Sequence, residues 1–354
     1  VSTPTDSAVG NSPSADSSGS YRRQGPQFTD RIVAEPAGEG PSGEAQWPVE
    51  AGRYRLVVSL ACPWAHRSLI VRRLMGLEDA ISLAIVDPLQ DDRSWRFSLD
   101  EDGVDPVLGQ RHLEEAYLAR DPEHGTDNGV SVPALVEEAT GRLVTNDFPH
   151  ITIDLGIEWA KYQRPGAPTL YPEELRAEID AVNEGVFHDV NNGVYKAGFA
   201  TRQSRYEEAY TALFARLDEL DERLADQRYL VGDHITEADI RLFTTLVRFD
   251  AVYHGHFKCN RQKLAEFENL WPYARDLYQT PGFGDTVDFD HIKRHYYQVH
   301  TSINPTQIVP LGPEAAAWLE PHRRGDLGGS PFGPDGTPPA PLDRPLRPLP
   351  PLDM

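Results

Sequence analysis

The chain has 354 residues and two cysteines, and one of them, Cys62, stands where a thiol can do chemistry. It lies in SLACPWAHRSLIVRRLMGLED, between a β-branched apolar run (Arg53 to Leu60, RYRLVVSL) and a helical pattern. Ala65, Leu69, Ile70, Arg73 and Leu74 recur at helical spacing, and Gly76 ends the pattern. Pro63 suits a first helical position, where its missing N–H costs nothing. Cys62 therefore falls at a helix N-terminus, where free N–H groups and the helix dipole favour negative charge. That setting predicts a lowered thiol pKa and a reactive thiolate. Three residues on stands Ala65, so no second sulfur can close an internal disulfide. The chemistry must be monothiol, and a mixed disulfide on Cys62 needs an outside thiol to resolve it. The plainer alternative is a buried structural cysteine; Cys259, in GHFKCNRQ, fits that alternative better.

Val132-Pro133 precedes a strand-like run. A proline is tolerated at a strand start; in a thioredoxin-like domain the same place holds a cis-proline beside the catalytic thiol. Tyr195 (NNGVYKAGFA), Tyr253 (RFDAVYHGHFKCN), and Tyr296 and Tyr297 (HIKRHYYQVH) sit in polar, glycine-punctuated settings. A phenol there can hydrogen-bond a thiolate or protonate a substrate, although most tyrosines simply fill cores. His291 and His295 are four apart, and His254 and His256 flank a glycine. No acidic residue lies between the first pair and no cysteine cluster is near, so no metal site is expected.

Elements must hold these residues together. Ala80 to Pro88 reads as a second buried strand, followed by a long polar insertion, 89–128, that carries Trp95. Such a long insertion in a compact domain is often functional. Val130 to Asp147 reads as a hairpin turning at Thr140-Gly141, and Ile151 to Ala160 as a helix. The order β-α-β-insertion-β-β-α is that of a thioredoxin-like domain, spanning 28–160. From 171 to 312 helical patterns dominate. Tyr206, Tyr210, Leu213, Leu217, Leu220 and Leu224 form an amphipathic stripe, and Thr236 to Asp239 resembles a capping box. The fold class expected is thus an α/β thioredoxin-like N-terminal domain followed by an all-α C-terminal domain. The Ser/Pro/Gly-rich segment 1–27 reads as a disordered tail without the apolar core of a secretion signal, and 313–354 as a Pro/Gly-rich tail.

Asp and Glu total 55 against 34 Lys and Arg, a net charge of −21. Such a surface disfavours nucleic-acid and anionic-membrane partners. Two cysteines cannot make a disulfide framework, and the expected setting is a reducing cytoplasm.

Taken in order, SLACPWAHRSLIVRRLMGLED, DDRSWRF, VPALVEEATGRLVTND, VNNGVYKAGFA, YLVGDHITEADIRLFTTLVRFDAVYHGHFKCN and DHIKRHYYQVHTSINPTQIVPLGP resemble the glutathionyl-hydroquinone reductases, the Xi class of omega-like glutathione transferases, from about residue 52 to 312. The resemblance implies a glutathione-transferase C-terminal domain, a homodimer formed largely through it, and thiol-dependent reduction of S-glutathionyl-hydroquinones. On that likeness Cys62 is the nucleophile, Tyr195 assists proton transfer, and Tyr253 and Tyr296 hydrogen-bond near the thiolate. Trp95 would pack on the bound thiol, and the backbone at Val132-Pro133 would pair with its cysteinyl part. Asp147 and Phe148 stand where glutathione-using members carry Glu-Ser to hold the γ-glutamyl end. Phe148 offers no hydroxyl, and Pro149 follows it. An Ala-, Arg-, Asp- and Pro-rich composition points to a high-GC, actinobacterial genome, and many actinobacteria keep mycothiol in place of glutathione. Either thiol is therefore a candidate co-substrate. An omega-like thioltransferase or dehydroascorbate reductase would need the same Cys62 but no proton donor to a ring carbon. A non-catalytic use of the same fold would not need the tyrosines at all.

Overall fold

The computed structural model describes residues 15–124, 128–342, 346–349 and 352. Two short strands, Arg31–Val33 (β1) and Gln46–Pro48 (β2), pair in parallel. The apolar run Tyr54–Val58 (β3) is buried along its whole length and forms the centre of a separate sheet with Ile81–Ile85 (β4), Ala134–Glu137 (β5) and Arg142–Thr145 (β6). The order is β4-β3-β5-β6; β3 runs parallel to β4 and antiparallel to β5. Burial on both faces is why the central strand β3 is mostly apolar, Arg55 being its one charged residue.

Between β3 and β4 runs Pro63–Met75 (α1), every residue of which is buried. It is covered by Phe148–Ile157 (α3) on one side and Glu237–Arg248 (α7) on another. Gly76 closes α1 in the left-handed region at φ 69°, its N–H returning to the Arg72 and Arg73 carbonyls. Among the described residues the insertion folds around Glu114–Arg120 (α2). It is fastened to the sheet by a buried ion pair, with Arg55 Nε and Nη2 both reaching Asp105 Oδ2.

The helical half comprises Arg176–Gly185 (α4), Gly193–Gly198 (α5), Gln203–Arg223 (α6), α7, Leu270–Gln279 (α8) and Phe289–Val299 (α9). Thr236 and Asp239 form the capping box that starts α7. Two π-helical turns interrupt the regular helices, Val186–Asn191 before α5 and Phe249–Tyr253 after α7. Such turns frequently mark functional sites, and both here deliver tyrosines to one place. No described helix is long and apolar enough to cross a membrane.

The described part of the N-terminal tail departs from the expectation of disorder, and the Pro/Gly-rich C-terminal tail is draped over the body of the molecule. Residues 15–27 form a strap. Ala15 bridges to Tyr21, and Tyr21 is buried against the rings of Tyr195 and Phe199, each 5.8 Å away. Residues 313–342 wrap the helical half. Trp318 is buried among Trp271, Tyr278 and Phe289, Arg324 donates to the Leu224 carbonyl at 2.7 Å, and Arg164 donates to the Thr337 carbonyl at 2.7 Å. A few large anchors in an otherwise weak Pro/Gly sequence suffice, because the surface they dock on already exists. The first fourteen residues of the expected tail lie outside the described residues.

Candidate active site

Strand β3 ends at Val58, and the chain turns through Ser59 to Ala61 into Cys62, the N-cap of α1. Because β3 and β5 are antiparallel, with Val57 opposite Ala134, the entry to β5 lies beside the end of β3. The Val132–Pro133 peptide there is cis, and the Cys62 thiol donates to the Val132 carbonyl at 3.5 Å.

The turn before Cys62 is gripped from the other half of the molecule. Arg248, fully buried on the last turn of α7, donates through Nε to the Ala61 carbonyl and through Nη2 to the Leu60 carbonyl, both at 2.9 Å. Its Nη1 reaches the Thr244 carbonyl at 2.7 Å and His66 Nδ1 at 3.1 Å. Burial pushes the Cys62 thiol above its ordinary value. The N–H groups of Ala65 and Trp64 and the cations of Arg248 and Arg23 pull the other way. The helix terminus is thus present as the sequence predicts, but the lowered pKa expected from it is outweighed by desolvation.

A pocket of about 150 Å³ opens over Cys62. Trp95, Val132, Tyr195, His295, Tyr296 and His300 all line it. Arg23 of the strap lies across the pocket, 4.3 Å from the Trp64 ring centroid and 4.7 Å from that of Tyr195, and its Nε donates to Asn192 Oδ1 at 2.7 Å. An adjoining pocket of about 70 Å³ shares Arg23, Trp64, Ser131 and Val132 and is closed by Phe148.

The three tyrosines meet in a chain. The hydroxyls of Tyr195 and Tyr296 lie 2.5 Å apart, and Tyr253 reaches Tyr296 at 2.9 Å. Burial raises the pKa of all three, so they are neutral phenols with a proton to share. Trp95, positioned by the insertion, stacks on His295 at 5.3 Å.

Tyr253 stands behind Tyr296 and is not a wall of the pocket, and neither Pro133 nor Asp147 lines it. Asp147 is buried, its carboxylate 2.7 Å from His150 Nδ1, and Phe148 packs on Trp64 at 4.8 Å. Three contributors escaped sequence reading: Arg23 in the supposed tail, Arg248, and His300. Only Arg248 carried a hint, as a cation in the apolar stretch LFTTLVRF. His291 and His295 diverge, the first 2.7 Å from the Arg347 carbonyl and the second 2.6 Å from that of Pro88. Among the described residues no three potential ligands converge on a metal position.

The family model for the glutathione S-transferase C-terminal domain matches residues 203–279. The glutathionyl-hydroquinone reductase YqjG of Escherichia coli K12 is 42% identical over 313 residues, covering 86% of this chain and 92% of that protein. Its glutathione-bound structure superposes with a TM-score of 0.78 at 43% identity, over 84% of this chain and 96% of that one. A glutathione transferase from Gordonia bronchialis superposes with a TM-score of 0.85 at 62% identity, over 89% of this chain and 95% of that one.

Proposed function

This chain belongs to the glutathionyl-hydroquinone reductase family of Xi-class glutathione transferases, and from that premise we propose that it reduces S-thiol conjugates of hydroquinones through a mixed disulfide on Cys62. It is an oxidoreductase of the glutathione transferase superfamily. The observation that carries the finer reading is the placement of Cys62 in one pocket with the hydrogen-bonded hydroxyls of Tyr195 and Tyr296. The Cys62 thiolate, held by the Trp64 and Ala65 N–H groups and by Arg248 and Arg23, attacks the thioether sulfur of the conjugate. A sulfur–sulfur bond forms and the sulfur–carbon bond breaks. The ring carbon keeps the electron pair and takes a proton from the tyrosine chain, which replaces carbon–sulfur with carbon–hydrogen. A second low-molecular-weight thiol then attacks the mixed disulfide and frees Cys62. A disulfide exchange needs only the first and last of these steps, so the tyrosine chain favours the reductase over the thioltransferase reading.

Glutathione is the thiol bound in the YqjG structure. By the family resemblance Phe148 stands where glutathione-using members carry a serine; here it packs on Trp64, and Asp147 is engaged by His150, which supports a changed thiol end, with mycothiol the alternative co-substrate. The reading also includes a homodimer through the helical half, which analytical ultracentrifugation would show. The test of function is turnover of menadione-S-glutathione and its mycothiol counterpart, each with its free thiol, beside a Cys62→Ser control. Turnover that disappears in the control supports the reductase, and the preferred thiol identifies the co-substrate. No turnover of either conjugate, with Cys62 still alkylated at neutral pH, transfers the assignment to disulfide exchange.

A further inference from the structure

His66, in the CPWAH string, has no part in the reaction above, yet it is buried where three segments meet. Its backbone N–H donates to the Cys62 carbonyl at 3.0 Å in the first turn of α1. Its ring lies between Arg248 of α7 and Thr286, in the short turn Gly284–Thr286 that follows α8. These two contacts fix its tautomer. Arg248 Nη1 can only donate, so His66 Nδ1, 3.1 Å away, is the acceptor and carries no hydrogen. The one hydrogen of the neutral ring is then on Nε2, 2.7 Å from Thr286 Oγ1. That hydroxyl passes its own hydrogen to the Phe283 carbonyl at 2.6 Å. Burial and the neighbouring guanidinium both hold the ring neutral.

The arrangement leaves Arg248 as a buried cation with only uncharged partners. These are the carbonyls of Leu60, Ala61 and Thr244 and the lone pair of His66. Among the described residues no carboxylate pairs with it. A fully buried arginine ordinarily has a carboxylate beside it. Here the N–H groups are satisfied while the charge stays unneutralised, and Cys62 lies within its field.

Resting on the function proposed above, we propose that His66 is a positioning residue for the Cys62 thiolate. Its Nδ1 lone pair fixes the Arg248 fork on the turn before the sulfur and, being uncharged, leaves the cation free to stabilise the thiolate. A carboxylate in the same place would satisfy the same N–H group and cancel the charge. A donor there would oppose Arg248 Nη1 and push the guanidinium away from the Leu60 and Ala61 carbonyls. Thr286 prevents that by taking the hydrogen on the far side of the ring.

The test compares His66→Asn with His66→Asp in the full-length chain. The two side chains have one shape and offer an oxygen near the place of Nδ1, but only the second is charged. The other ionisable groups facing Cys62, namely Arg23, Arg67, Tyr21, Tyr195 and Tyr253, are unchanged in both. The pH midpoint of Cys62 alkylation should stay within about 0.3 unit of wild type in His66→Asn and rise by about one unit or more in His66→Asp. At pH 7, kcat/KM for a hydroquinone conjugate should then be about tenfold lower in His66→Asp than in His66→Asn. Equal midpoints in the two variants would overturn the proposal. A thermal melt reports on their folding, and the wild type supplies an independent measurement by nitrogen-15 NMR. The His66 signal, identified by its absence from His66→Asn, should show Nδ1 bare and Nε2 protonated from about pH 5.5 to 8. A hydrogen on Nδ1 would overturn the proposal whatever the variants did. Absence of conjugate turnover in the wild type would remove the reductase reading and the proposal with it. The alkylation midpoints, which need no turnover, show which of the two has failed.

Discussion

The guanidinium of Arg248 holds the carbonyl of Ala61, the residue before Cys62, at 2.9 Å across 187 residues of sequence. The helical half therefore fixes the turn that presents Cys62 and also supplies a cation to it. Replacing Arg248 by Met removes the charge and leaves the Leu60 and Ala61 carbonyls unpartnered. Stability should fall by about 2–4 kcal/mol, read from urea denaturation. The pH midpoint of Cys62 alkylation should move upward, since a cation lost near a thiolate disfavours it. An unmoved midpoint would show that Arg248 acts on the turn alone.

Tyr195 and Tyr296 share a hydrogen bond and both line the pocket, whereas Tyr253 reaches Tyr296 at 2.9 Å, packs its ring 6.1 Å from that of Tyr195 and does not line the pocket. Tyr195→Phe and Tyr296→Phe should each lower kcat for a hydroquinone conjugate by on the order of 10²-fold. The double variant should be little worse than either single one, because the two act as a unit. Tyr253→Phe should cost about tenfold or less. Single-turnover kinetics separate these effects from thiol binding.

Arg23 ties the strap to Asn192 and to the Trp64 and Tyr195 rings. The pocket it lines, about 150 Å³, is below the ~300–1,000 Å³ usual for ligand sites, so a bound thiol is expected to displace part of the strap. Asn192→Ala should speed tryptic cleavage after Arg22 and Arg23 about threefold or more, and a saturating thiol should do the same in the wild type. Cleavage at one rate in all three samples would show that the strap is anchored elsewhere.

Phe148 closes the second pocket against Trp64. Restoring a hydroxyl and the longer acid in the double variant Asp147→Glu, Phe148→Ser should lower KM for glutathione by about fivefold and leave kcat within twofold. A KM that stays put would place glutathione discrimination outside this pair.

Burial depresses His256 and His295 from 6.5 to about 4. In the unfolded chain they bind protons near their ordinary pKa, so folding stability is complete above about 6.5 and is lost as pH falls toward 4. Urea midpoints at pH 7, 5.5 and 4.5 should fall in that order, and His256→Gln should flatten the series. Burial raises Cys62 instead, so its contribution is complete at low pH and declines as pH rises past the ordinary thiol value.

Much of this molecule is written locally. Pro63 and Gly76 bound α1, the runs that become β3 and β4 are largely apolar, and the turn at Gly141 joins β5 to β6. These signals lie within a few residues of what they specify, so the sequence by itself determined the half-domains, the place of Cys62 and the entry to β5 beside it. The tertiary structure decided what crosses between distant segments. Arg248 reaches the Cys62 turn from α7, Tyr195 on α5 and Tyr253 at the end of a π-helical turn meet Tyr296 on α9, and the tail carries Arg23 onto Trp64. It also reversed one expectation: the helix N-terminus favours the thiolate, but burial by residues remote in the chain opposes it more strongly. Desolvation depends on everything packed around a group, and no local pattern records that.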